Sequence, residues 1–138
     1  MTRRIGTGTP WEPVAGYSRA VAAGDFVFVA GCTSVVDGEV VHEGDPAAQT
    51  RQAIANVSAA LERLGASLAD VVRTRMFVTD IARWQEYGRA HGAAFGQVRP
   101  ATTMVQVAAL IDPRMLVEVE ADAYRPGVGG VPGQPPRG

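Results

Sequence analysis

Apolar and polar positions along the chain alternate between strand-like and helix-like patterns. Residues 25–31 form a nearly continuous apolar run closed by a glycine, which is typical of a strand buried on both faces. A weaker strand is predicted over residues 17–22. Asp37-Gly38 predicts a hairpin turn that leads into Val40-Val41.

Two amphipathic helices are predicted. Asp45-Pro46 provides an N-cap and a proline at the first helical position, and Gly65 ends the first helix. Its apolar face repeats at spacings of three and four: Ile54, Val57, Leu61 and Leu64. Asp80 is expected to cap the second helix, which Arg99-Pro100 ends. The stripe of that helix consists of Trp84, Tyr87, His91 and Phe95.

Three further strands are predicted, over residues 71–79, 102–110 and 115–124. In the first, one face is assigned Val72, Thr74, Met76 and Val78, and the other Arg73, Arg75 and Phe77. In the last, one face is assigned Val117, Val119, Ala121 and Ala123, and the other Leu116, Glu118, Glu120, Asp122 and Tyr124. About six strands and two helices predict an α+β or α/β fold with a sheet covered by helices on one face.

The uncovered face of the sheet has to meet water or another subunit. We expect another subunit, because Thr102, Met104 and Gln106, placed on that face of the adjacent strand, are too apolar a set for a purely solvated surface. The sequence therefore predicts an oligomer with sites at its interfaces.

Length and composition predict one domain with an N-terminal loop and a flexible C-terminal tail. The 138 residues, 46% hydrophobic and 20% charged, suffice for a single core. We expect an N-terminal loop over residues 1–13, a domain over 14–126 and a flexible tail over 127–138, which holds five glycines and three prolines. No apolar run reaches the length of a membrane span, and Arg3-Arg4 is not followed by the apolar stretch of a signal peptide.

Charge and cysteine content exclude several kinds of chemistry. All 13 basic residues are arginine, so no lysine is available for a Schiff base, and the net charge of −1 does not attract nucleic acid. The single cysteine, Cys32, allows no internal disulfide, and a reducing cytoplasm is expected. The absence of lysine beside abundant arginine, alanine and glycine favours a GC-rich, bacterial genome.

Several blocks of residues between about residue 14 and residue 125 occur in an order and at spacings that are typical of a known protein family. They are Ala15-Gly16-Tyr17-Ser18-Arg19-Ala20-Val21, Phe26-Val27-Phe28-Val29-Ala30-Gly31, Gln49-Thr50-Arg51-Gln52-Ala53-Ile54-Ala55-Asn56-Val57, Leu64-Gly65-Ala66-Ser67-Leu68-Ala69-Asp70-Val71-Val72, Phe77-Val78-Thr79-Asp80, Arg99-Pro100-Ala101-Thr102-Thr103-Met104-Val105 and Val117-Glu118-Val119-Glu120-Ala121. This series resembles the Rid (reactive-intermediate deaminase) or YjgF family. The resemblance implies a chorismate-mutase-like fold and a homotrimer whose three sheets enclose a barrel with clefts between subunits. It also implies hydrolysis of imines and enamines to keto acids and ammonia, without metal or cofactor.

The chain departs from the family pattern at positions that bear on specificity. Thr102 stands where archetypal members have an arginine that holds the substrate carboxylate, and one hydroxyl does not replace a bidentate guanidinium. The usual Gly-Pro-Tyr is Ala15-Gly16-Tyr17, Cys32 replaces a polar residue, and Gly88 an asparagine. The sequence therefore predicts the fold of the family without its standard specificity for 2-imino acids.

Glu118 is the candidate catalytic residue. The resemblance places it at the glutamate that positions the hydrolytic water, and one carboxylate can act first as base and then as acid. Alternatively, it is a solvated carboxylate on an edge strand. Glu120 lies on the same face two residues on, and its charge is expected to raise the pKa of Glu118. The candidate substrate-binding residues are Tyr17, Gly31, Cys32, Thr102 and Thr103.

Three of these candidates, and two arginines of the strand over residues 71–79, have a structural alternative. Tyr17 either lines the cleft or packs at its rim, and Gly31 either offers its N–H to substrate or makes a turn. Cys32 is either a nucleophile or a buried, inert thiol. Arg73 and Arg75 either bind an anion or form a solvated, ion-paired face.

Neither histidine has metal-ligand spacing. His42 and His91 lie 49 residues apart, so no metal site is predicted; His91 is interpreted as a histidine at the edge of the core and His42 as solvated. Three functions remain open: a Rid-like hydrolase, a non-catalytic or chaperone-like binding trimer, and a ribonuclease. The charge balance disfavours the ribonuclease.

Overall fold

The computed structural model of the chain describes residues 2–130, so the part of the predicted tail from residue 131 onward lies outside the described residues. The elements in chain order are β1 (Thr2–Ile5), α1 (Trp11–Ala15), β2 (Ala20–Ala23), β3 (Phe26–Cys32), β4 (Val35–Val36), β5 (Glu39–Val40), α2 (Pro46–Arg63), β6 (Val71–Val78), α3 (Trp84–Phe95), β7 (Ala101–Gln106) and β8 (Val117–Tyr124). Short 3₁₀ turns at Leu68–Asp70 and Ile81–Arg83 precede β6 and α3.

Six strands form one mixed sheet in the order β1-β2-β3-β8-β6-β7. Only β6 and β7 pair in parallel, and α3 connects them, as a parallel crossover requires. The helices α2 and α3 pack on one face of this sheet, and the α+β fold predicted from the sequence is confirmed. The predicted hairpin is also present as β4-β5, with φ of 50° at Asp37 and 81° at Gly38.

Helix α2 forms where its signals place it. The Asp45 carboxylate accepts a hydrogen bond of 3.0 Å from the N–H of Ala48, Pro46 is the first helical residue, and Gly65 follows the helix with a φ of 86°. Ile54, Val57 and the rest of the predicted stripe are buried against the sheet. The apolar face therefore anchors the covered side of the sheet.

Strand β6 departs from simple alternation. The pairing of β6 with β8 shifts between Val71 and Arg73, which marks a β-bulge. As a result Val71 is buried and Val72 is 48% exposed, so the prediction that Val72 shares the buried face with Thr74 was wrong. A bulge inserts one extra residue into the strand, so the residues before it point to the face opposite the one that simple alternation predicts.

Both ends of the described part of the chain, residues 2–13 and 127–130, make contacts that the sequence did not predict. The segment predicted as a loop over residues 1–13 contains β1 and the start of α1, so that prediction was wrong. Val128 is buried, its carbonyl accepts a hydrogen bond of 2.9 Å from Arg3 Nη1, and the N–H of Gly129 donates to Gly24 at 2.8 Å. The strands predicted over 102–110 and 115–124 are shorter, ending at Gln106 and beginning at Val117.

The two faces of β7 are the reverse of the sequence assignment. Thr102, Met104 and Gln106 are in register with Thr74, Met76 and Val78 of β6, all three of which point toward the helices. The prediction that they share a face with the carboxylates of β8 was therefore wrong. Thr103 and Val105 occupy the open face instead.

The open face of the sheet exposes aromatic side chains. Phe26, Phe28 and Tyr124 are 43%, 47% and 45% exposed, and the rings of Phe26 and Tyr124 meet edge-on with centroids 5.3 Å apart. No helix within residues 2–130 is long and apolar enough to cross a membrane.

Candidate functional site

The site is centred on the contact between Glu118 on β8 and Gly31 on β3. The pairing of β3 with β8 shifts between Val29 and Cys32, so Ala30 and Gly31 together stand opposite one residue of β8 in a β-bulge. A Cβ atom at position 31 would lie 2.6 Å from Cδ of Glu118, so the carboxylate occupies the space that glycine leaves free. Position 31 therefore has to be glycine, because any side chain there would occupy the space of the Glu118 carboxylate. Gly31 lies within β3 and not in a turn.

Arg19 lies directly beneath this contact. Its Nη1 donates to the carbonyl oxygens of Gly31 at 2.6 Å and Ala30 at 3.2 Å, and the residue is only 9% exposed. A buried guanidinium needs such acceptors because its desolvation is costly. Arg19 therefore fixes the bulge and also places a positive charge near Glu118.

The Glu118 carboxylate has an altered acidity. Burial raises its pKa, the positive charge of Arg19 lowers it, and the negative charge of Glu120 raises it further. The net direction is upward from the ordinary value of 4.5. A half-buried carboxyl with a raised pKa exchanges protons more readily near neutral pH than a solvated glutamate does.

Tyr17 borders the same region. The Arg19 guanidinium carbon lies 5.8 Å from the centroid of the Tyr17 ring, and the phenol oxygen is 3.2 Å from the hydroxyl of Thr9. Thr9 is fixed in turn by Glu12, whose carboxylate accepts hydrogen bonds from its N–H at 3.0 Å and its hydroxyl at 2.9 Å. The N-terminal segment thereby holds the tyrosine ring in place.

A groove of about 370 Å³ extends over the open face from Tyr17 and Ala30. Arg75, Glu120 and Asp122 also line it, and Arg75 Nη1 contacts the two carboxylates at 3.2 and 3.3 Å. Arg75 is thus ion-paired, in agreement with the structural alternative for this arginine.

Cys32 belongs to the core and not to the cleft. It is 4% exposed and packs with the buried residues of the helix-covered face, and its Sγ lies 3.4 Å from the carbonyl oxygen of Ala30. Burial raises the pKa of the thiol, with Arg19 opposing this effect and Glu118 adding to it. This burial agrees with the alternative of a buried, inert thiol, because a buried thiol is a poor nucleophile. Contact between Cys32 and substrate stays a prediction.

The two threonines of β7 lie apart from Glu118 within one chain. Thr103 is exposed on the open face. It is paired with Arg75 of β6, which is paired in turn with Glu120 of β8. Thr102 is on the opposite face, where its hydroxyl lies 2.8 Å from that of Thr74. A single chain therefore places Gly31 against Glu118 and Tyr17 beside Arg19, which binds the Gly31 carbonyl, and it leaves Thr102 on the other face.

His91 is at the edge of the core, as interpreted from the sequence. Its Nε2 is 2.8 Å from the Thr74 hydroxyl, its ring packs on Phe95 at 4.6 Å, and burial lowers its pKa. No group of three or more His, Cys, Asp or Glu side chains among residues 2–130 is arranged to hold a metal.

Sequence reasoning gave no role to Arg19 or to the contact of His91 with Thr74. A signal for Arg19 was present, because a charged residue next to the apolar pair Ala20-Val21 at the start of a strand requires a specific partner. No signal linked His91 to Thr74, since the contact depends on how α3 lies on β6.

These features define an α+β protein with a half-buried acidic site where β3 meets β8. Residues 7–125 match the family model described as Endoribonuclease L-PSP. The chain belongs to this family, the Rid or YjgF family that its sequence resembles.

Individual relatives agree with this assignment. The chain is 43% identical over 126 residues to an uncharacterized protein, SCO2049, of Streptomyces coelicolor, covering 91% of this chain and 94% of that protein. It is 36% identical over 118 residues to the 3-aminoacrylate deaminase RutC of Acinetobacter baylyi, with coverage of 85% and 92%. The crystal structure of Rv2704 from Mycobacterium tuberculosis, a member of the YjgF/YER057c/UK114 family, is similar with a TM-score of 0.82 and 52% identity, covering 90% of this chain and 99% of that one.

Proposed function

We propose that the protein is a Rid-like hydrolase that deaminates an imine, an enamine or a related activated C–N substrate. The observation that carries the proposal is the half-buried Glu118 carboxylate, held against Gly31 and next to the Arg19 guanidinium. Similarity to a protein named 3-aminoacrylate deaminase supports it, because aminoacrylate is an enamine.

The proposed reaction needs one proton acceptor that later becomes a donor. Glu118 takes a proton from water as the water oxygen bonds to the carbon of the C=N group. It returns that proton to the nitrogen, which gives a carbinolamine. It then takes the proton of the carbinolamine hydroxyl and passes it to the nitrogen, so that the C–N bond breaks, the carbonyl forms and ammonia leaves. The raised pKa of Glu118 suits both steps, since it brings the protonated and ionised forms closer in free energy.

We further propose that the working cleft lies between subunits of a homotrimer. Within one chain Thr102 faces away from Glu118, so a cleft that includes both needs two copies. The exposed Phe26, Phe28 and Tyr124 supply an apolar surface that a second copy would cover.

A reducing cytoplasm and a bacterial source, inferred from Cys32 and from composition, stay predictions.

The experiment is ammonia release from freshly generated imines, some with a carboxylate and some without. Glu118→Gln keeps the shape and removes the base, so turnover should fall about 100- to 10,000-fold while the oligomer persists. Glu62→Gln, on the exposed face of α2, is the matched control and should keep full activity. Unchanged turnover in Glu118→Gln would contradict the proposal.

A binding protein without chemistry is the second candidate. Thr102 in place of the family arginine favours it, because its hydroxyl is engaged with Thr74 and with the carbonyl of Pro100. A ligand that raises the melting temperature without yielding product would identify this function.

RNA cleavage, which the family description names, is not the function we propose. Glu118, Glu120 and Asp122 make one strip of the open face acidic, and phosphates are repelled by such a surface. RNA cleavage by the purified protein, abolished by a substitution at Glu118, would overturn this assignment.

A further inference from the structure

Helix α2 carries two amide side chains on one side, at positions 49 and 56. Gln49 is fully buried and Asn56 is half-buried, and they lie seven residues apart, which is close to two helical turns. Each amide has two N–H donors and one carbonyl acceptor, so it can bind several backbone groups that lie outside the ladder of a sheet.

Gln49 binds the segment that leads into β8. Its carbonyl oxygen accepts the N–H of Leu116 at 2.8 Å, and its Nε2 donates to the carbonyl oxygens of Arg114 at 2.9 Å and His42 at 3.2 Å. The opposite orientation of the amide would set two donors against each other at Leu116, so the contacts allow only this one. Leu116 precedes Glu118 by two residues, and Gln49 therefore fixes the start of the strand that carries the carboxylate.

Asn56 binds the segment that leaves β3. Its Nδ2 donates to the carbonyl oxygens of Thr33 at 2.9 Å and Val35 at 3.0 Å, and its own carbonyl oxygen accepts from Gln52 Nε2 at 3.1 Å. Thr33 follows Gly31 by two residues. The same helix therefore binds the chain on both sides of the contact between Gly31 and Glu118.

The ladder between β3 and β8 does not reach these segments. Its last pair is Cys32 with Val119, so Glu118 lies just past its end. Thr33 and Leu116 lie outside both strands. The two amides of α2 thus supply hydrogen bonds where the pairing of the two strands has stopped.

We propose that Gln49 and Asn56 are positioning residues that together hold the Glu118 carboxylate against Gly31. Because one helix binds both segments, the two strands are kept together past the end of their ladder, and water is kept from the carboxylate. The effect of the amides on turnover rests on the proposed hydrolase function, whereas their effect on the burial of Glu118 does not.

The burial is tested first, by ¹³C NMR titration of the Glu118 carboxyl in the assembled protein, with Glu118→Gln used to assign its signal. Burial is the largest cause of the raised pKa of Glu118, so Gln49→Met and Asn56→Leu should lower this pKa toward 4.5. The charges of Arg19 and Glu120, which also act on Glu118, are the same in both variants. Water can replace the bonds of the half-buried Asn56, so Asn56→Leu decides the test if Gln49→Met does not fold.

Thr50→Val is the matched control on the same helix. Thr50 is fully buried, and its hydroxyl donates to the carbonyl oxygen of Pro46 within α2 at 2.8 Å. This variant should lose a few degrees of melting temperature with the buried hydrogen bond, and the pKa of Glu118 and kcat should not change. If Asn56→Leu also lowers only the melting temperature and leaves the pKa of Glu118 in place, the amide serves stability alone and the inference is overturned.

Initial rates with the imines described above test the effect on the reaction. We expect kcat to fall about tenfold in Asn56→Leu and about 100-fold in Gln49→Met with KM nearly unchanged, because a displaced carboxylate slows the chemical step. Unchanged kcat in both variants, with a lowered pKa of Glu118, would overturn the inference and leave the hydrolase function standing. If the wild type hydrolyses no imine, the proposed function fails, and the titration alone decides whether the two amides position Glu118.

Discussion

A methyl group on residue 31 would lie 2.6 Å from Cδ of Glu118, closer than any stable contact between carbon atoms. Gly31→Ala should therefore displace the carboxylate or distort the bulge. We expect a loss of about 1–3 kcal/mol in the free energy of unfolding from overpacking. A displacement of about 1 Å should also lower kcat by about 100-fold.

The matched control is Gly92→Ala in α3, where an added Cβ meets no atom within 4 Å. This change should raise stability by about 0.5–1 kcal/mol, because alanine favours the helix, without changing turnover. Chemical denaturation and initial rates on the same preparations separate the two variants. Full activity in Gly31→Ala would show that the position of Glu118 is irrelevant to the reaction.

The charges around Glu118 predict opposite shifts of the pH profile. The rate should fall as the pH falls through the raised pKa of Glu118, because the base becomes protonated. Arg19→Gln removes a charge that lowers this pKa, so the acidic limb should move to higher pH. Glu120→Gln removes a charge that raises it, so the limb should move to lower pH. The pH profiles of kcat/KM for the wild type and the two variants test these opposite shifts. Two shifts in the same direction would contradict the prediction.

The raised pKa of Glu118 also predicts a pH-dependent cost in stability. Below its ordinary value of 4.5 the carboxyl is protonated in both the folded and the unfolded chain. As pH rises through the folded pKa, ionisation of the half-buried group costs more in the folded chain, so stability is lost. Glu118→Gln stays neutral. Its melting temperature relative to wild type should therefore rise between about pH 4 and about pH 8, and a difference that shrinks over this range would refute the prediction.

Cys32 should be chemically silent in the folded protein. Its burial and its raised pKa keep the thiol protonated and out of reach of iodoacetamide at neutral pH. Modification should need global unfolding, and Cys32→Ala should keep kcat while lowering stability by about 1 kcal/mol through the lost packing. Mass spectrometry after timed alkylation measures the first effect, with the denatured protein as the positive control. Rapid labelling together with loss of activity would restore Cys32 to the site.

Local signals in the sequence predicted the elements that depend on local chemistry. Asp45, Pro46 and Gly65 define α2, and Asp37-Gly38 defines the hairpin, because capping and positive φ depend on residues close in sequence. The resemblance to the Rid family supplied the architecture, which the order of the strands alone did not determine.

Features set by tertiary pairing were predicted less well. The face of Val72 depends on a bulge opposite β8, and the face of Thr102 depends on its parallel register with β6. The space requirement at position 31 had no local signal, because the side chain that needs the space, Glu118, is far along the chain. Strand β1 carries two arginines and no apolar alternation, so its pairing with β2 had no signal in the sequence.

Arg3 in β1 donates a hydrogen bond to the carbonyl of Val128, which follows β8. The first strand and the segment after the last strand are therefore neighbours. A short covalent linker between these two segments would permit circular permutation, with new termini opened at the exposed Asp37-Gly38 turn. No strand of the six-stranded sheet is cut in that arrangement. The permuted chain would run from β8 through the linker into β1, β2 and β3, and would bring Glu118 and Gly31 from opposite halves of the sequence into its second half.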